Sequence, residues 1–546
     1  MSHIVVIGYG MVGSRFVEDL TTADHAGEHL VTVLGDEACE PYNRVLLSDV
    51  VAGTRGLSAI ALPAPDHPRV TVQRGVAVRA IDRGSRDVVL ADDTRVPYDE
   101  LVIATGAAAR VPTVPGLGDD PAGGDLPSGV HVLRSIDDAR EIIAATLNAR
   151  RAIVLGGGVL GLEAASGLAR RDLAVTVVHP SPALMERQLD EAASRVVEST
   201  LRRTGVDQRV GVGAQEIVVE EGRLRRVQLT NGEVLAADLL VLCTGTVPHV
   251  ALAAEAGLEV DRGVLVDADL TTSDPHVHAI GDCAQPPGGA SGLVAQGWEQ
   301  ARRLADLLTG RDTETVTTGV GDVVKPKTHG VDIVTMGVCG SGRVDDPALR
   351  VVRLSDPAAG RHLEIVVRDG LLVGATAVGA GRVGTDLITT YTRRTPLPAD
   401  PAHLAALPGW RLQRLQPVPA GGPRGGAGAA FLATAGAAAE AADGHGADAG
   451  AHRAAPLCHG LDDSAGRAGC AGRAMRDARG RGGDALRRGG RGCGQAGRPG
   501  AGGGTCSTAI SRCRWPWPAW PWWRLPSGSW CLRWGAPDRA AVTAIC

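Results

Sequence analysis

The sequence predicts an α/β protein with two parallel-sheet domains, a small α+β domain behind them and a tail without a core. Three observations predict it. A short apolar run that ends in a glycine-rich turn occurs twice, at Ile4–Gly13 and Ile153–Gly161. Each is followed by a helical stretch and a second apolar run, the order that builds parallel sheets. From residue 325 short strands with turn signals take over, and near Pro417 the composition changes again.

The first unit begins at the N-terminus. Ile4 to Ile7 is a continuous apolar run, as expected of a strand buried on both faces. Gly8, Gly10 and Gly13 follow in G-x-G-x-x-G spacing. In that spacing the first glycine makes a tight turn, the second lets backbone approach a pyrophosphate, and the third lets a helix pack on the strand. Met11 to Leu20 is that helix, whose N-terminal N–H groups and dipole favour an anion. Asp36 and Glu37 stand where the next run, LVTVL, ends, the place for an acid that accepts hydrogen bonds from a ribose. Together these features describe a Rossmann-like dinucleotide-binding domain; a strand–turn–helix without ligand is the alternative. Val70–Asp82 and Asp87–Gly106 read as strands and a hairpin, and LVIATG is a buried strand that ends in Thr105-Gly106. Residues 107–129, rich in Gly, Pro and Asp, read as a crossover loop.

The second unit repeats the first about 150 residues later. Ile153 to Leu155 is strand, Gly156, Gly158 and Gly161 repeat the glycine spacing, and Leu162 to Arg170 is helix. Two such turns imply two dinucleotides, since each seats one pyrophosphate. The following strand, AVTVVHP, ends in His179 rather than an acid, so neither NADH nor NADPH is chosen; a solvated surface histidine is the alternative. Leu235 to Gly245 mirrors the earlier Thr-Gly strand and closes the unit. Ala279 and Ile280 end a short strand at Gly281-Asp282, where a carboxylate can accept from a polyol hydroxyl or cap a helix. Gly292 to Leu308 is a helix. Residues 325–400 read as a small, mostly antiparallel sheet closed by the helix TDLITTYTRR.

The tail differs from all of this. No lysine occurs after Lys327, and residues 420–546 are rich in Ala, Gly and Arg. Seven of the nine tryptophans lie between Trp515 and Trp534. Without a sustained period of 2 or 3.6, such a stretch cannot bury a core. It reads as disordered or out of frame, with an arginine-rich arm as the alternative. The net charge of −5 gives no pull toward nucleic acid. Of 11 cysteines only Cys39, Cys243, Cys283 and Cys339 precede residue 400, and no C-x-x-C occurs, so no metal, disulfide framework or cysteine-ligated cluster is expected. No signal-peptide pattern or membrane-length apolar run is present, so a cytoplasmic chain without a membrane partner is expected.

IGYGMVG, PYNRVLLSDVVAG (Pro41 to Gly53), HPSPALMERQLD (His179 to Asp190), GLVAQGWEQA and KPKTHGVDIVTMG together resemble the flavin portion of the assimilatory NAD(P)H nitrite reductase large subunit. That family lies within the two-dinucleotide flavoprotein reductases. The resemblance covers residues 1 to about 400 and implies FAD and NAD(P)H as cofactors. It implies an FAD-binding domain in two parts, 1–115 and 247–322, around an NAD(P)H-binding domain at 116–246. A C-terminal α+β domain at 323–400 and the tail at 401–546 complete the layout.

By the resemblance, Gly8, Gly10, Met11, Val12 and Gly13 seat the FAD pyrophosphate, and Asp36 or Glu37 holds its ribose. Arg44 lies along the phosphates, Val78 near the adenine, and Thr105, Gly106, Gly281 and Asp282 near the cofactor body. Gly156, Gly158, Val159, Leu160 and Gly161 seat the nicotinamide nucleotide, with His179 and Gly245 beside it. Glu163 would lie by the nicotinamide and flavin rings as the catalytic-site carboxylate, orienting rather than transferring protons. Many relatives that reduce ferredoxins or rubredoxin carry a lysine after the Leu-Ser pair, where this chain has Asp49. The implied activity is electron transfer from NAD(P)H through FAD to an iron–sulfur or sirohaem centre of nitrite or nitrate assimilation on another domain or chain. An oligomer is possible. The alternatives are a ferredoxin- or rubredoxin-type reductase and a nicotinamide-sensing flavin-binding protein. Thiol chemistry is disfavoured, and Cys39, Cys243 and Cys283 are expected to be small buried residues.

Overall fold

The computed structural model describes residues 1–118, 126–289, 292–311, 322–340 and 346–397, with the backbone of 412–413 and 432–433. The chain divides into Met1–Ala439 and Glu440–Cys546, and every described residue belongs to the first unit. The tail expected over 401–546 therefore lies outside the described residues, apart from those two short pairs.

The first domain opens with β1 (Ser2–Ile7), α1 (Met11–Ala23), β2 (His29–Gly35), α2 (Leu47–Val51) and β3 (Val70–Arg74). An antiparallel meander follows, β4 (Val78–Asp82), β5 (Asp87–Leu90) and β6 (Arg95–Pro97), then β7 (Glu100–Ile103). Ile4, Val5 and Val6 are fully buried, as the unbroken apolar run requires of a central parallel strand. Phe16, Val17 and Leu20 form the buried stripe of α1.

The region read as a crossover loop holds a strand, β8 (Ala107–Ala109). Its alanines carry no strand propensity of their own. A partner makes the strand, as shown below.

The second domain contains β9 (Val130–Val132), α3 (Ile136–Thr146), β10 (Arg151–Leu155), α4 (Val159–Ala169), β11 (Ala174–His179), α5 (Glu191–Arg203) and β12 (Val206–Val210). A second meander, β13 (Ala214–Glu220), β14 (Arg223–Leu229) and β15 (Val234–Ala236), leads to β16 (Leu239–Leu242) and β17 (Thr246–Pro248). α4 begins at Val159, three residues before the expected Leu162, because Gly158 itself caps the helix. α3 is set by a capping box in which Ser135 and Asp138 satisfy each other's backbone N–H groups. Asp190 caps α5 by accepting from Ala193 N at 2.7 Å.

The chain then returns through α6 (Ala251–Glu255), β18 (Val264–Leu265), β19 (Val277–Ala279), β20 (Ala284–Gln285) and α7 (Val294–Leu308). The first sheet has the order β19-β7-β1-β2-β3 and the second β9-β16-β10-β11-β12. Every neighbouring pair in both is parallel. The glycine-turn strand is therefore central in each, between the Thr-Gly strand and the strand that follows the helix. β8 and β17 pair antiparallel, Ala107 with Pro248, so both connections between the domains run through one ribbon.

The C-terminal domain is a four-stranded antiparallel sheet, β21 (Ile333–Gly337), β22 (Arg350–Asp356), β23 (Arg361–Arg368) and β24 (Leu371–Val378), with α8 (Gly381–Thr392). Its order is β21-β24-β23-β22. Val334, Met336, Ile365 and Ala375 pack with Val383 and Leu387 of α8 in its core. Thr335, Thr376, Glu364 and Arg353 lie opposite one another across the strands as a polar row. That row meets the start of α5. Arg353 pairs with Asp190 at 3.0 Å, and Thr376 Oγ1 donates to Gln188 O at 3.4 Å.

Candidate functional site

The two glycine turns have the same geometry. Gly8 has φ 109° and Gly156 has φ 114°, left-handed values that favour glycine. A Cβ on Gly8 would stand 2.3 Å from Ala104 O, and one on Gly156 would stand 2.2 Å from Cys243 O. The Thr-Gly strand ends thus lie directly against the turns. A Cβ on Gly13 would meet Gly8 O at 2.1 Å, and one on Gly161 would meet Gly156 O at 1.9 Å. These outer glycines hold helix on strand. The middle glycines differ. A Cβ on Gly10 would come no nearer to the protein than 3.9 Å, at Arg44, and one on Gly158 would meet nothing within 4 Å. Each middle glycine caps its helix in extended backbone and leaves open space at the N-terminus of α1 or α4. That is a cradle a side chain would fill and a phosphate fits.

Around the first cradle, Arg44 lies at the mouth. Its guanidinium donates to Tyr42 Oη at 2.7 Å and Arg134 O at 3.2 Å, and it pairs with Glu37. Tyr42 Oη also donates to Glu37 Oε2 at 2.8 Å. Of the two candidate acids, Glu37 is bound into this network, whereas Asp36 is exposed. Met11 is buried, and its Sδ lies 3.2 Å from Arg44 N. Val12 packs against Gly281 and Gly297, where α1 crosses α7. Gly281, with φ 79°, donates its N–H to Gln300 at 2.7 Å. Asp282 Oδ2 accepts from Arg134 at 2.6 Å, and Arg134 Nε donates to Ala107 O at 2.8 Å. Thr105 Oγ1 donates to His249 O at 3.2 Å, and Gly106 has φ 70°. Val78 starts β4 and packs against the first domain's core.

In the second domain Val159 and Leu160 form the first turn of α4, and Gly245 has φ 104° with open space beside it. His179 is not a solvated surface residue. It is buried, and its Nε2 lies 2.9 Å from Glu186 Oε2.

Glu163 is also buried, on the helix of the second cradle. Its Oε2 accepts from Ser48 Oγ at 2.6 Å, and its Oε1 accepts from Lys327 N at 2.9 Å. Lys327 Nζ stands 3.0 Å from both oxygens. Three segments meet here: α2 of the first domain, α4 of the second and the lead-in to the C-terminal sheet. The chain has only two lysines, Lys325 and Lys327. Asp49, next to Ser48, pairs with Arg55 at 3.5 Å, and the cation on Glu163 is Lys327, from the C-terminal side. Sequence reasoning named Glu163 but missed Ser48, Lys327, Arg134 and Glu186. Ser48 and Lys327 lay within the PYNRVLLS and KPKTHG stretches that carried the resemblance.

Thiol chemistry finds no support in the geometry. The cysteines among the described residues are free. Burial, with Glu163 second, pushes the Cys243 thiol up to about 12. Cys39 corrects the expectation of a buried residue: it is exposed, because it lies in the bend at residues 36–39 that follows β2. Among the described residues no group of three or more His, Cys, Asp or Glu could hold a metal, and no helix is long and apolar enough to cross a membrane.

Two Rossmann-like domains with one cradle each, beside a buried carboxylate, define a two-dinucleotide oxidoreductase that uses FAD and NAD(P)H. The chain belongs to the pyridine nucleotide-disulphide oxidoreductase family, whose model matches residues 2–303. It is 32% identical over 400 residues to nitrite reductase [NAD(P)H] of Bacillus subtilis (strain 168), covering 72% of this chain and 48% of that protein. It is 37% identical over 320 residues to rhodocoxin reductase of Rhodococcus erythropolis, covering 57% of this chain and 73% of that one. The ferredoxin reductase structure from Rhodopseudomonas palustris matches with a TM-score of 0.62 at 27% identity, covering 74% of this chain and 100% of that one. The chain thus spans about half the length of the nitrite reductase it matches.

Proposed function

We propose that this chain takes electrons from NAD(P)H onto FAD and passes them to an iron–sulfur or sirohaem centre of nitrite or nitrate assimilation, in the cytoplasm, on another domain or chain. The observation that carries the reading is the pair of matched cradles, each with a middle glycine that faces open space. With both groups bound, the nicotinamide supplies hydride and the flavin splits it into electrons for the acceptor. The first cradle, with Arg44, Glu37, Thr105, Gly106 and Asp282, binds the FAD. The second, with Val159, Leu160 and Gly245, binds the nicotinamide nucleotide. Glu163 orients the two at their junction. Lys327 and Ser48 hold both its oxygens, which fixes the orientation of the carboxylate.

The nitrite and nitrate assignment is supported by the Bacillus subtilis nitrite reductase and by the 30% identity to an assimilatory nitrate reductase electron transfer subunit from the same organism. The rhodocoxin reductase match supports a second reading, reduction of a small ferredoxin-type carrier. The test is reduction of the purified yellow protein by NAD(P)H, then turnover with ferricyanide, a two-iron ferredoxin and an isolated sirohaem domain. The sirohaem domain should be the acceptor reduced fastest. Preference for the ferredoxin selects the second reading. Bound flavin that neither nucleotide bleaches would refute both.

A further inference from the structure

The second domain has no acid directly after its second strand, and the fold brings one back. In the first domain β2 ends at Gly35, with Asp36 and Glu37 next in sequence. In the second, β11 ends at His179, and residues 180–185 contain no acid. The chain then folds onto the glycine turn. Met185 N donates to Gly157 O at 2.9 Å, with Met185 itself at φ 50°. A non-glycine residue in the left-handed region is strained and persists only where the surroundings fix it. A Cβ on Gly157 would stand 2.6 Å from Leu184 and 2.8 Å from His179 Cγ, so both side chains pack on the turn. Glu186 follows, and its Oε2 lies 2.9 Å from His179 Nε2. The carboxylate thus returns to the end of β11.

We propose that Glu186, held by His179, reads the adenosine ribose of the nicotinamide nucleotide and makes the chain selective for NADH. This rests on the second domain being the nicotinamide nucleotide site. A carboxylate there accepts from ribose hydroxyls and repels a 2′-phosphate. The Glu186 side chain is 41% exposed, and among the described residues its Oε1 has no partner. One oxygen is therefore anchored and the other is free for a ligand. His179 acts through Glu186 and is a positioning residue. A carboxylate only accepts, so the His179 Nε2–H donates to it, and Nδ1 is buried without a partner. The buried ring orients Glu186 through that bond. The competing reader is Arg187, exposed and next in sequence, whose charge would favour a 2′-phosphate.

The experiment compares kcat/KM for NADH and NADPH with ferricyanide as acceptor, on the FAD-loaded full chain. The wild type should prefer NADH by at least about tenfold. Glu186→Gln should cut that preference about tenfold or more, the cost of a charge-assisted hydrogen bond, through KM rather than kcat. Glu186→Arg should invert it. His179→Ala should weaken the preference, while His179→Gln, whose amide still donates to Glu186, should keep it. The flavin spectrum and dithionite bleaching check that each variant is folded. A ratio unmoved in Glu186→Gln overturns the proposal, as does a wild type that prefers NADPH and loses the preference in Arg187→Gln. Flavin that dithionite reduces but neither nucleotide reduces overturns the nicotinamide reading itself, and this proposal with it.

Discussion

Gly10→Val separates folding from binding. At Gly8 and Gly13 an added Cβ would enter backbone atoms at 2.3 and 2.1 Å, so Gly8→Ala and Gly13→Ala should not fold normally. Gly10 has ordinary extended angles, φ −85° and ψ −165°, and open space where a side chain would go. Valine is a poor helix cap, which costs about 1 kcal/mol. Its methyl groups fill the place where a pyrophosphate meets the α1 N-terminus, an overpacking cost of about 1–3 kcal/mol. Three kcal/mol, the upper end of that range, is about a hundredfold in affinity, since each 1.4 kcal/mol is tenfold. The apoprotein should therefore keep its circular dichroism and melt within a few degrees of wild type. Its FAD dissociation constant, read by quenching of flavin fluorescence on titration, should rise by up to about two orders of magnitude. Gly10→Val with wild-type flavin affinity would refute the placement of the cradle. So would a Gly8→Ala variant that folds while Gly10→Val does not.

Three further outcomes follow from the same geometry. Gly158→Val, with nothing within 4 Å of its Cβ, should retain FAD and bleach with dithionite but not with NAD(P)H; wild-type bleaching by the nucleotide would contradict the two-site arrangement. Lys327→Met leaves the buried Glu163 with Ser48 and one backbone N–H but no counter-charge, and should cost about 3 kcal/mol, the low end for breaking a buried pair. Adding Glu163→Gln should recover part of that loss in a urea melt, whereas additive losses would show that the two residues are not coupled. His362 is fully buried, and burial first, then Arg353, lowers its pKa from 6.5 to about 4 against the opposing pull of Asp190. The unfolded chain takes up that proton below about pH 6.5 and the folded chain does not, so stability from this group is whole above about pH 6.5 and falls toward pH 4 by about 3 kcal/mol. His362→Gln should flatten the acid limb of the stability curve; an unchanged slope would remove the assignment.

What was legible in the sequence was local. β1 and β10 are unbroken apolar runs because both faces of each strand are covered, and their glycines are spaced by the turn they make. The two Thr-Gly strands could be matched to each other because both units repeat the order. What could not be read depends on distance along the chain. Ser48 and Glu163 are 115 residues apart, and Glu163 and Lys327 are 164 apart. No periodicity joins such positions. The meander β13–β15 went unread because its strands mix charged and apolar residues without a clean alternation. β8 is three alanines that become a strand only when Thr246–Pro248 lies beside them. The burial of His179 was not legible because its partner, Glu186, sits across a turn that proline and a left-handed methionine shape.

The ribbon of β8 and β17 bears on how such a chain assembles. Beside the paired strands, Arg110 N donates to Gly245 O at 2.9 Å and His249 N donates to Gly106 O at 3.0 Å, so the second domain's entry and exit are stitched together. β19 must find β7 across that whole insert, Val277 beside Leu101. For an open chain this would be a long loop to close, and long-range pairings of that kind are slow to form. Once the insert has folded and its ends have met, the effective loop shrinks to residues 104–106 and 249–276 on either side of the ribbon. The guest domain then acts as a clasp for its host. A segment with adjoining ends is also the kind that can be spliced into a surface loop without parting the strands on either side. Four strands of each sheet share one order, β7-β1-β2-β3 and β16-β10-β11-β12, as a duplicated copy would leave behind, while the edge strands differ: β19 follows the rest of its sheet in the chain and β9 precedes the rest of its own.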